Sequence, residues 1–116
     1  MAIDRPLTIE RIPGNAPRSV VLRLTGSLIL NNVLSLRGEF RNAEPPRVTI
    51  LDLSGVFYMD SAGMSEIVNQ EAFCRDMRVR LILAGVTAPV LSMLQVTRLD
   101  RVLTLSASVE EAEATA

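Results

Sequence analysis

Apolar and polar residues alternate along some segments of this chain and recur at helical spacing along others. Residues 7–12 (LTIERI) alternate, and a loop containing Pro and Gly leads from them into residues 19–26 (SVVLRLTG), which predicts two strands joined by a hairpin-like loop. The near-continuous β-rich runs at 47–56 (RVTILDLSGV) and 79–86 (VRLILAGV) are typical of strands covered on both faces. Residues 101–108 (RVLTLSAS) predict a last short strand.

Helical spacing begins near Leu30 and begins again at Ser61. The first helix has Asn31 or Asn32 at its N-cap position and ends at the EPP sequence. Its apolar positions are Val33, Leu36, Phe40 and Ala43. The second helix is predicted to run from Ser61 to about Met77. Its predicted apolar face is formed by Met64, Ile67, Val68 and Ala72.

Two shorter helices are predicted in the last third of the chain. Thr87 is expected to cap the first of them, with Pro89 in its first turn. The inward-facing residues of this helix are Val90, Leu91 and Leu94. Ser108 is expected to cap a terminal helix, whose first turn carries Glu110 and Glu111 where the helix dipole favours negative charge.

The predicted order of elements is β-β-α-β-α-β-α-β-α. Strands that alternate with helices predict an α/β fold with a mixed, mostly parallel sheet and about four helices packed on it, and the opening pair predicts an antiparallel first strand. A length of 116 residues is typical of one compact domain, here residues 1–116. In such a sheet, loops that follow the carboxyl ends of strands gather ligands and partners.

The amino-acid composition excludes several kinds of catalytic and metal-binding site. The chain has no histidine, and its 12 basic residues are all arginine, which excludes a histidine general base, histidine metal ligands and a lysine Schiff base. Cys74 is the single cysteine, so we expect a buried and inert thiol rather than a metal or redox motif. The net charge of −1 does not favour nucleic acid. We therefore predict no nucleic-acid partner and no metal.

The location of the protein is also predicted from its apolar segments. The stretch MAIDRPLTIE carries an early acid and no long apolar run, so it is not typical of a signal peptide. The longest apolar runs, such as LILAGV, are far shorter than a membrane span. We expect a cytoplasmic protein with no direct insertion into a membrane.

The stretch GVFYMDSAGMSEIV, residues 55–68, places an acid, a hydroxyl and a glycine where a strand meets a helix. One hypothesis is a helix cap, because Asp, Ser and Gly are common at strand-to-helix turns. The other is a modification site, because the amino end of a helix at Ser61 would tolerate a phosphate. Asp60 is then either the cap or a carboxylate offered to a partner, and Gly63 would let a partner's backbone approach. The candidate apolar anchors are Phe57, Tyr58, Met59 and Met64.

In these residues the chain resembles the STAS domains, and within them the bacterial anti-sigma factor antagonists. VVLRLTGSL at 20–28 resembles the family's second strand with its Leu-x-Gly-x-Leu ending. VTILDLSGVFYMDSAGM at 48–64 resembles the third strand and the loop after it, and LILAGVTAPVLSMLQVTRLDRVLTL at 81–105 resembles the later strand, helix and final strand. The resemblance covers almost the whole chain.

The resemblance implies a partner-switching regulator of transcription rather than an enzyme. In that family the unphosphorylated antagonist binds an anti-sigma factor that is also a serine kinase, which frees a sigma factor. The kinase then phosphorylates the serine that corresponds to Ser61, and a serine phosphatase reverses the modification. ATP belongs to the kinase, so the resemblance implies no cofactor for this domain. The implied partner-binding residues are Ser27, Ile29, Tyr58, Asp60, Ser61, Ala62, Gly63 and Met64.

Two departures from the family's usual pattern lie at the end of the second strand and after the third helix, whereas an alanine in place of the motif's second serine is common in the family. The family usually has Glu-Leu-Asp where this chain has Ser27-Leu28-Ile29, so an isoleucine replaces an acid near the partner-binding surface. Arg98 stands where many relatives have a glycine after the third helix. Ala62 replaces a second serine, which makes Ser61 the sole acceptor within the motif.

Other functions stay open at the level of sequence. A structural STAS subunit of a stress-signalling assembly, or of a membrane lipid transporter complex, is slightly favoured by the loss of the acid at Ile29. An esterase or phosphatase that uses Asp60 and Ser61 directly is disfavoured, because only a carboxylate could activate the serine and no Gly-x-Ser-x-Gly motif is present. Association into a homodimer is left open.

Overall fold

The structure is a computed structural model that describes residues 6–41 and 44–116, and within them five strands and four α-helices follow the predicted order. The strands are β1 (Thr8–Pro13), β2 (Ser19–Leu28), β3 (Val48–Met59), β4 (Arg80–Ala84) and β5 (Thr104–Ser106). The helices are α1 (Val33–Glu39), α2 (Ser61–Asp76), α3 (Ala88–Val96) and α4 (Val109–Ala114), and a 3₁₀ turn at Leu99–Arg101 precedes β5.

The strands form a single mixed sheet in the order β1-β2-β3-β4-β5. β1 runs antiparallel to β2, with Thr8 opposite Thr25, and the other three pairs are parallel. This confirms the predicted α/β fold, the mostly parallel sheet and the antiparallel first strand. The short loop between β1 and β2 allows antiparallel pairing, whereas each later connection contains a helix that returns the chain for a parallel strand.

Helices cover the two faces of the sheet unequally. α1, α2 and α3 pack on one face, over a large core that includes Leu51 and Leu83. α4 covers the other face, where Ala112 packs into a smaller core with Ile50 and Ile82. The central strands β3 and β4 are therefore buried on both faces, which explains why their sequences are near-continuous apolar runs.

The buried face of α2 differs from its predicted apolar face. The predicted residues that are buried or half-buried are Ile67, Met64 and Val68. The prediction for Ala72 was wrong, because this residue is exposed. Two polar residues outside the predicted face, Glu66 and Gln70, are buried, and each has an exposed fraction of 2%. Apolar periodicity could not reveal them, because a buried polar side chain depends on partners from other elements.

Two of the predicted helix caps make bonds other than those expected. Ser108 confirms its prediction, since its hydroxyl accepts a hydrogen bond from the N–H of Glu111 at 3.1 Å. Thr87 occupies the N-cap position of α3, but its hydroxyl donates to the carbonyl of Val56 at 2.6 Å. Asn32 occupies the N-cap position of α1, and its side chain bonds backward to the preceding turn instead of to the helix.

α1 differs in its bounds from the predicted first helix, and α3 ends in a left-handed residue. α1 begins at Val33 rather than near Leu30, and Phe40 is buried just after its last residue. Ala43, the last predicted apolar position of this helix, lies outside the described residues. Arg98 follows α3 with a φ of 61°, so an arginine adopts the left-handed backbone for which glycine is usual after a helix.

Candidate functional site

β3 is longer than β4 and carries the Asp60–Gly63 motif beyond it. β4 pairs with β3 only from Val48 to Asp52, whereas β2 pairs with β3 as far as Met59. The motif follows Met59 directly, and α2 begins within it at Ser61. We call the surroundings of this junction, where β2 and β3 end together, the carboxyl edge of the sheet.

Asp60 connects two segments of the carboxyl edge through both of its carboxylate oxygens. Oδ1 accepts a hydrogen bond from the N–H of Gly63 at 2.8 Å, which caps α2. Oδ2 accepts a hydrogen bond from the N–H of Leu30 at 3.1 Å, which holds the segment between β2 and α1. The positive end of the helix dipole favours a carboxylate at this position. Of the two roles predicted for Asp60, the structure supports the cap.

Gly63 is packed against β2 and does not face a partner. A Cβ at this position would lie 2.3 Å from the carbonyl oxygen of Leu28 and 3.1 Å from Cγ of Met59. The prediction that Gly63 lets a partner's backbone approach was therefore wrong, because the backbone of β2 fills that space. The absence of a side chain allows α2 to lie close to β2, which places the start of the helix.

Ser61 is the first residue of α2, and it is exposed. Its hydroxyl makes no hydrogen bond with another described residue. A phosphate on this oxygen would therefore break no bond of the serine side chain within the described fold. The phosphate would lie at the positive end of α2, where an anion is stabilised. Ala62 is half-buried behind it.

The two predicted partner-binding residues at the end of β2 are placed differently. Ser27, a predicted partner-binding residue, is buried, with an exposed fraction of 1%, so its side chain is not accessible in this structure. Its carbonyl accepts a hydrogen bond from Nδ2 of Asn32 at 2.9 Å. Ile29 is half-buried, and its N–H donates to Oδ1 of the same asparagine at 3.0 Å. The position at which the family usually has an acid therefore remains partly accessible.

Large apolar side chains are exposed on the elements that meet at the carboxyl edge. These four residues, which we call the apolar rim, are Leu30 (70% exposed), Leu34 (66%), Phe57 (55%) and Tyr58 (37%). Two other predicted anchors belong to the interior, since Met59 is fully buried and Met64 is half-buried against the core. Exposed aromatic and aliphatic side chains are the usual anchors of a protein interface.

Sequence reasoning missed two members of the apolar rim. Leu30 precedes α1, and Leu34 lies in its first turn beside the buried Val33. Apolar residues at 30, 33, 34 and 36 are more than one core-facing stripe requires, and this excess was the available signal. A helix with apolar residues outside its core-facing stripe indicates either further burial or a binding surface.

A family model of the STAS domain matches residues 7–112, which is most of the chain. The chain belongs to the STAS domain family. The match includes all five strands, the first three helices and most of α4. It confirms the family that the sequence motifs indicated.

The STAS domain also matches parts of two much longer curated proteins. It is 48% identical over 65 residues to human solute carrier family 26 member 10P, which is 52% of this chain and 12% of that protein. It is 46% identical over 57 residues to mouse solute carrier family 26 member 10, which is 49% of this chain and 8% of that protein. The chain thus spans only a small part of the length of these relatives.

Solved structures from two kinds of protein share the fold. A sulfate transporter family protein from Wolinella succinogenes superposes with a TM-score of 0.76 at 21% identity, covering 82% of this chain and 81% of that one. The unphosphorylated anti-sigma factor antagonist SpoIIAA superposes with a TM-score of 0.68 at 22% identity, covering 92% and 94%. The phosphorylated form of the Bacillus cell fate determinant SpoIIAA superposes with a TM-score of 0.71 at 18% identity, covering 94% of this chain and 100% of that one.

Two further kinds of feature are absent from the described part of the STAS domain. None of its described helices is long and apolar enough to cross a membrane. Residues 6–41 and 44–116 also contain no group of three or more cysteine and carboxylate side chains arranged to hold a metal ion.

An ion pair between the exposed Arg37 and the buried Glu66 holds α1 against α2 behind the carboxyl edge of the STAS domain. Nη2 of Arg37 lies 2.7 Å from Oε1 of Glu66, and Nε of the same arginine lies 3.3 Å from Oε2. Gln70 also donates to Oε2. Burial raises the pKa of Glu66, but the hydrogen bonds from Arg37 and Gln70 and the nearby positive charges outweigh it, so the net pKa lies below the usual range. Glu66 is therefore ionised at neutral pH.

Cys74 lies on the buried face of α2, further from the motif. It is 2% exposed, and burial together with the charge of Glu71 raises the pKa of its thiol to about 11. Because the thiolate is the reactive form, this cysteine is inert at neutral pH. The structure confirms the predicted buried thiol.

Proposed function

We propose that this STAS domain is an anti-sigma factor antagonist whose binding is switched off by phosphorylation of Ser61. The unphosphorylated domain binds an anti-sigma factor that is also a serine kinase, and the sigma factor is released to act in transcription. Phosphorylation by that kinase ends the binding, and a serine phosphatase restores it. The domain acts in the cytoplasm by binding alone, with no catalysis and no cofactor of its own.

The observation that carries this proposal is an exposed serine hydroxyl at the start of α2, on a surface with an apolar rim. Ser61 has no hydrogen bond within the described residues, so its phosphorylation leaves the fold intact. The charge of Asp60, the acid beside it, is already shared with two backbone N–H groups. A phosphate would add nearly two negative charges to a surface suited to apolar contact. Its desolvation and repulsion would oppose a partner that binds the unmodified surface.

The geometry also explains how the surface can remain stable while its charge changes. α2 provides unpaired N–H groups in its first turn, and its dipole is positive at that end. The cap at Asp60 and the ion pair between Arg37 and Glu66 do not involve the Ser61 hydroxyl. The switch therefore alters affinity for the partner, and the stability of the domain stays nearly constant.

The experiment tests phosphorylation and binding separately, with matched variants. Wild type, Ser61→Ala and Ser65→Ala are incubated with ATP and extract of the source organism, and intact masses are read. Ser65 is the control, because it is exposed one turn later on the same helix. We expect one phosphate on wild type and Ser65→Ala and none on Ser61→Ala. Phosphate on all three proteins, or on none, would contradict the proposal.

Binding is then measured with the kinase that Ser61→Ala retains from the extract. Ser61→Asp and Ser61→Asn have nearly the same shape and differ in charge, so their comparison isolates the electrostatic contribution. We expect Ser61→Asp to bind at least about tenfold more weakly than Ser61→Asn, which corresponds to about 1.4 kcal/mol. Equal affinities would mean that charge at this position does not control the partner.

A second candidate function is that of a regulatory or structural STAS module of a membrane transporter. The identity of 46–48% to solute carrier family 26 proteins over about half of the chain favours it, as does the likeness to the sulfate transporter family structure. It predicts that the protein co-purifies with a transporter in the membrane fraction and that no phosphate reaches Ser61. The apolar rim would then contact the transporter in place of an anti-sigma factor.

A further inference from the structure

Arginines lie at the starts of three adjacent parallel strands, at the end of the sheet opposite Ser61. Arg18 and Arg47 immediately precede β2 and β3, and Arg80 is the first residue of β4. The strands are in register here, since the N–H of Arg47 donates to the carbonyl of Arg18 at 2.7 Å and that of Arg80 donates to Arg47 at 2.9 Å. Neighbouring strands lie only about 4.8 Å apart, so the backbones of these three arginines are adjacent. We call this region the amino edge.

A cavity of about 270 Å³ opens at the amino edge, and its only charged side chains among the described residues are arginines. The lining residues are Ala16, Pro17, Arg47, Val48, Arg78, Arg80 and Ala116. Nη1 of Arg80 donates to the carbonyl of Thr115 at 2.6 Å, which fixes this guanidinium and leaves it other donors. Arg47 and Arg78 make no ion pair or side-chain hydrogen bond with a described residue. Within residues 6–41 and 44–116, two guanidiniums without a side-chain partner and one fixed guanidinium therefore border the same space.

The side chains of Glu113 and Glu44 lie outside this cavity. Glu113 on α4 accepts hydrogen bonds from the N–H of Asn15 through both oxygens, at 3.1 and 2.8 Å. Glu44 lines the neighbouring cavity with Arg18, whose guanidinium also donates to the carbonyl of Pro45 at 3.4 Å. Neither glutamate lines the cavity that Arg47 and Arg78 share.

The backbone places Arg78 directly after the last turn of α2. It adopts a φ of 59°, in the left-handed region that is common where a helix ends. The dipole of α2 would favour a cation after its last turn, but it does not explain Arg47, which precedes a strand.

We propose that the cavity at the amino edge binds a phosphate group, with Arg47 and Arg78 as its main ligands and Arg80 as a positioned third. Guanidinium groups pair with phosphate through two parallel hydrogen bonds. The guanidinium N–H donors of Arg47 and Arg78 have no partner among the described residues and are available for such bonds. The phosphate belongs either to a soluble phosphorylated ligand or to a phospholipid headgroup. This site does not depend on the proposed role of Ser61.

The test compares two double variants that remove the same charge. Arg47→Ala/Arg78→Ala removes the two free ligands. Arg98→Ala/Arg101→Ala is the matched control, because Arg98 has the same left-handed backbone, Arg101 is likewise exposed, and neither residue lines the cavity. Pyrophosphate binding is measured by calorimetry, and vesicle binding is measured by flotation with and without phosphatidic acid in phosphatidylcholine. Urea unfolding of each variant verifies that it is folded.

Either probe can support the proposal, and each identifies a source of the phosphate. Binding of pyrophosphate by wild type and the control, at least about tenfold weaker in Arg47→Ala/Arg78→Ala, would indicate a soluble ligand. Binding only to vesicles with phosphatidic acid, lost in the same variant alone, would indicate a lipid headgroup. Equal losses in both double variants would overturn the proposal, because only net charge would matter. Failure of wild type to bind either probe would also overturn it.

Discussion

The carboxyl and amino edges of this STAS domain lie at opposite ends of the same strands and present opposite kinds of surface. The carboxyl edge has four exposed large apolar residues, and its one motif acid is bonded to backbone N–H groups. The amino edge has four arginines, of which Arg47 and Arg78 have no side-chain partner among the described residues. A surface that is switched by one phosphate benefits from having little charge of its own, whereas a surface with free cations already attracts phosphate.

The separation of the two edges keeps their electrostatics independent. β3 has 12 residues and connects them, which corresponds to roughly 35 Å at the usual rise of a strand. This exceeds the screening length of about 8 Å at physiological ionic strength several times over. A phosphate on Ser61 therefore cannot pair with the free arginines, and a charge at one edge has little effect on binding at the other.

The largest expected effect on stability comes from adding one methyl group at Gly63. This substitution should disturb the carboxyl edge and leave the amino edge unchanged. In Gly63→Ala the new Cβ would lie 2.3 Å from the carbonyl oxygen of Leu28, and a backbone atom cannot move aside without shifting β2 or α2. We expect the free energy of unfolding in urea to fall by about 3 kcal/mol. The folded fraction should keep its affinity for pyrophosphate, because the amino edge is distant.

Gly38→Ala provides the matched control for this substitution. Gly38 is also in a helix, and a Cβ there would have no atom within 4 Å. Alanine is the better helix former, so we expect this variant to be more stable than wild type by about 0.5 kcal/mol. If the two variants changed stability equally, the close approach of α2 to β2 would not be what requires glycine at position 63.

The second expected effect concerns the two bonds of the Asp60 carboxylate. Asp60→Ala removes the cap of α2 and the bond to Leu30, so we expect a loss of about 2 kcal/mol in urea unfolding. Ser108→Ala removes a cap with one bond and should cost about 1 kcal/mol. If Asp60→Ala lowered the free energy of unfolding by no more than Ser108→Ala, the hydrogen bond between Leu30 and Asp60 would contribute nothing to stability.

The elements of the fold could be predicted because their signals are local. The runs that became β3 and β4 are apolar at nearly every position, and the residues at the N-cap positions of α3 and α4 were identified correctly. The bonds of those caps are less predictable. Thr87 bonds to Val56 because β3 extends past β4 and leaves that carbonyl without a strand partner on one side, and no local pattern states the relative lengths of two strands.

The candidate site was predicted in its position but only in part of its geometry. Ser61 and Asp60 stand out where a strand pattern changes to a helix pattern, so the motif could be found from the sequence. The contact of Gly63 with Leu28 and the burial of Ser27 depend on how close α2 and β2 approach, which is a tertiary property. The ion pair of Glu66 with Arg37 joins residues 29 positions apart and leaves no periodic signal.

The smallest expected effect is a pH dependence that arises from this ion pair between α1 and α2. The pKa of Glu66 in the folded protein lies below that of an unfolded glutamate, which is about 4.3. The ionised carboxylate therefore stabilises the fold fully above that unfolded value, and the contribution is lost as the pH falls through the folded pKa. Acid should weaken the contact that holds α1, with Leu34 of the apolar rim, against the helix that carries Ser61.

Glu66→Gln isolates this contribution because glutamine keeps the shape of the side chain and does not titrate. Urea unfolding of wild type and variant is compared from about pH 3 to about pH 7, and the advantage of wild type should be largest at the upper end and shrink toward the lower end. A constant difference between wild type and Glu66→Gln across this range would mean that Arg37 and Gln70 hold the side chain by shape and not by its charge. The contact between α1 and α2 would then be independent of the charge of Glu66, and the effect of a phosphate on Ser61 could be measured at any pH in this range without a change in that contact.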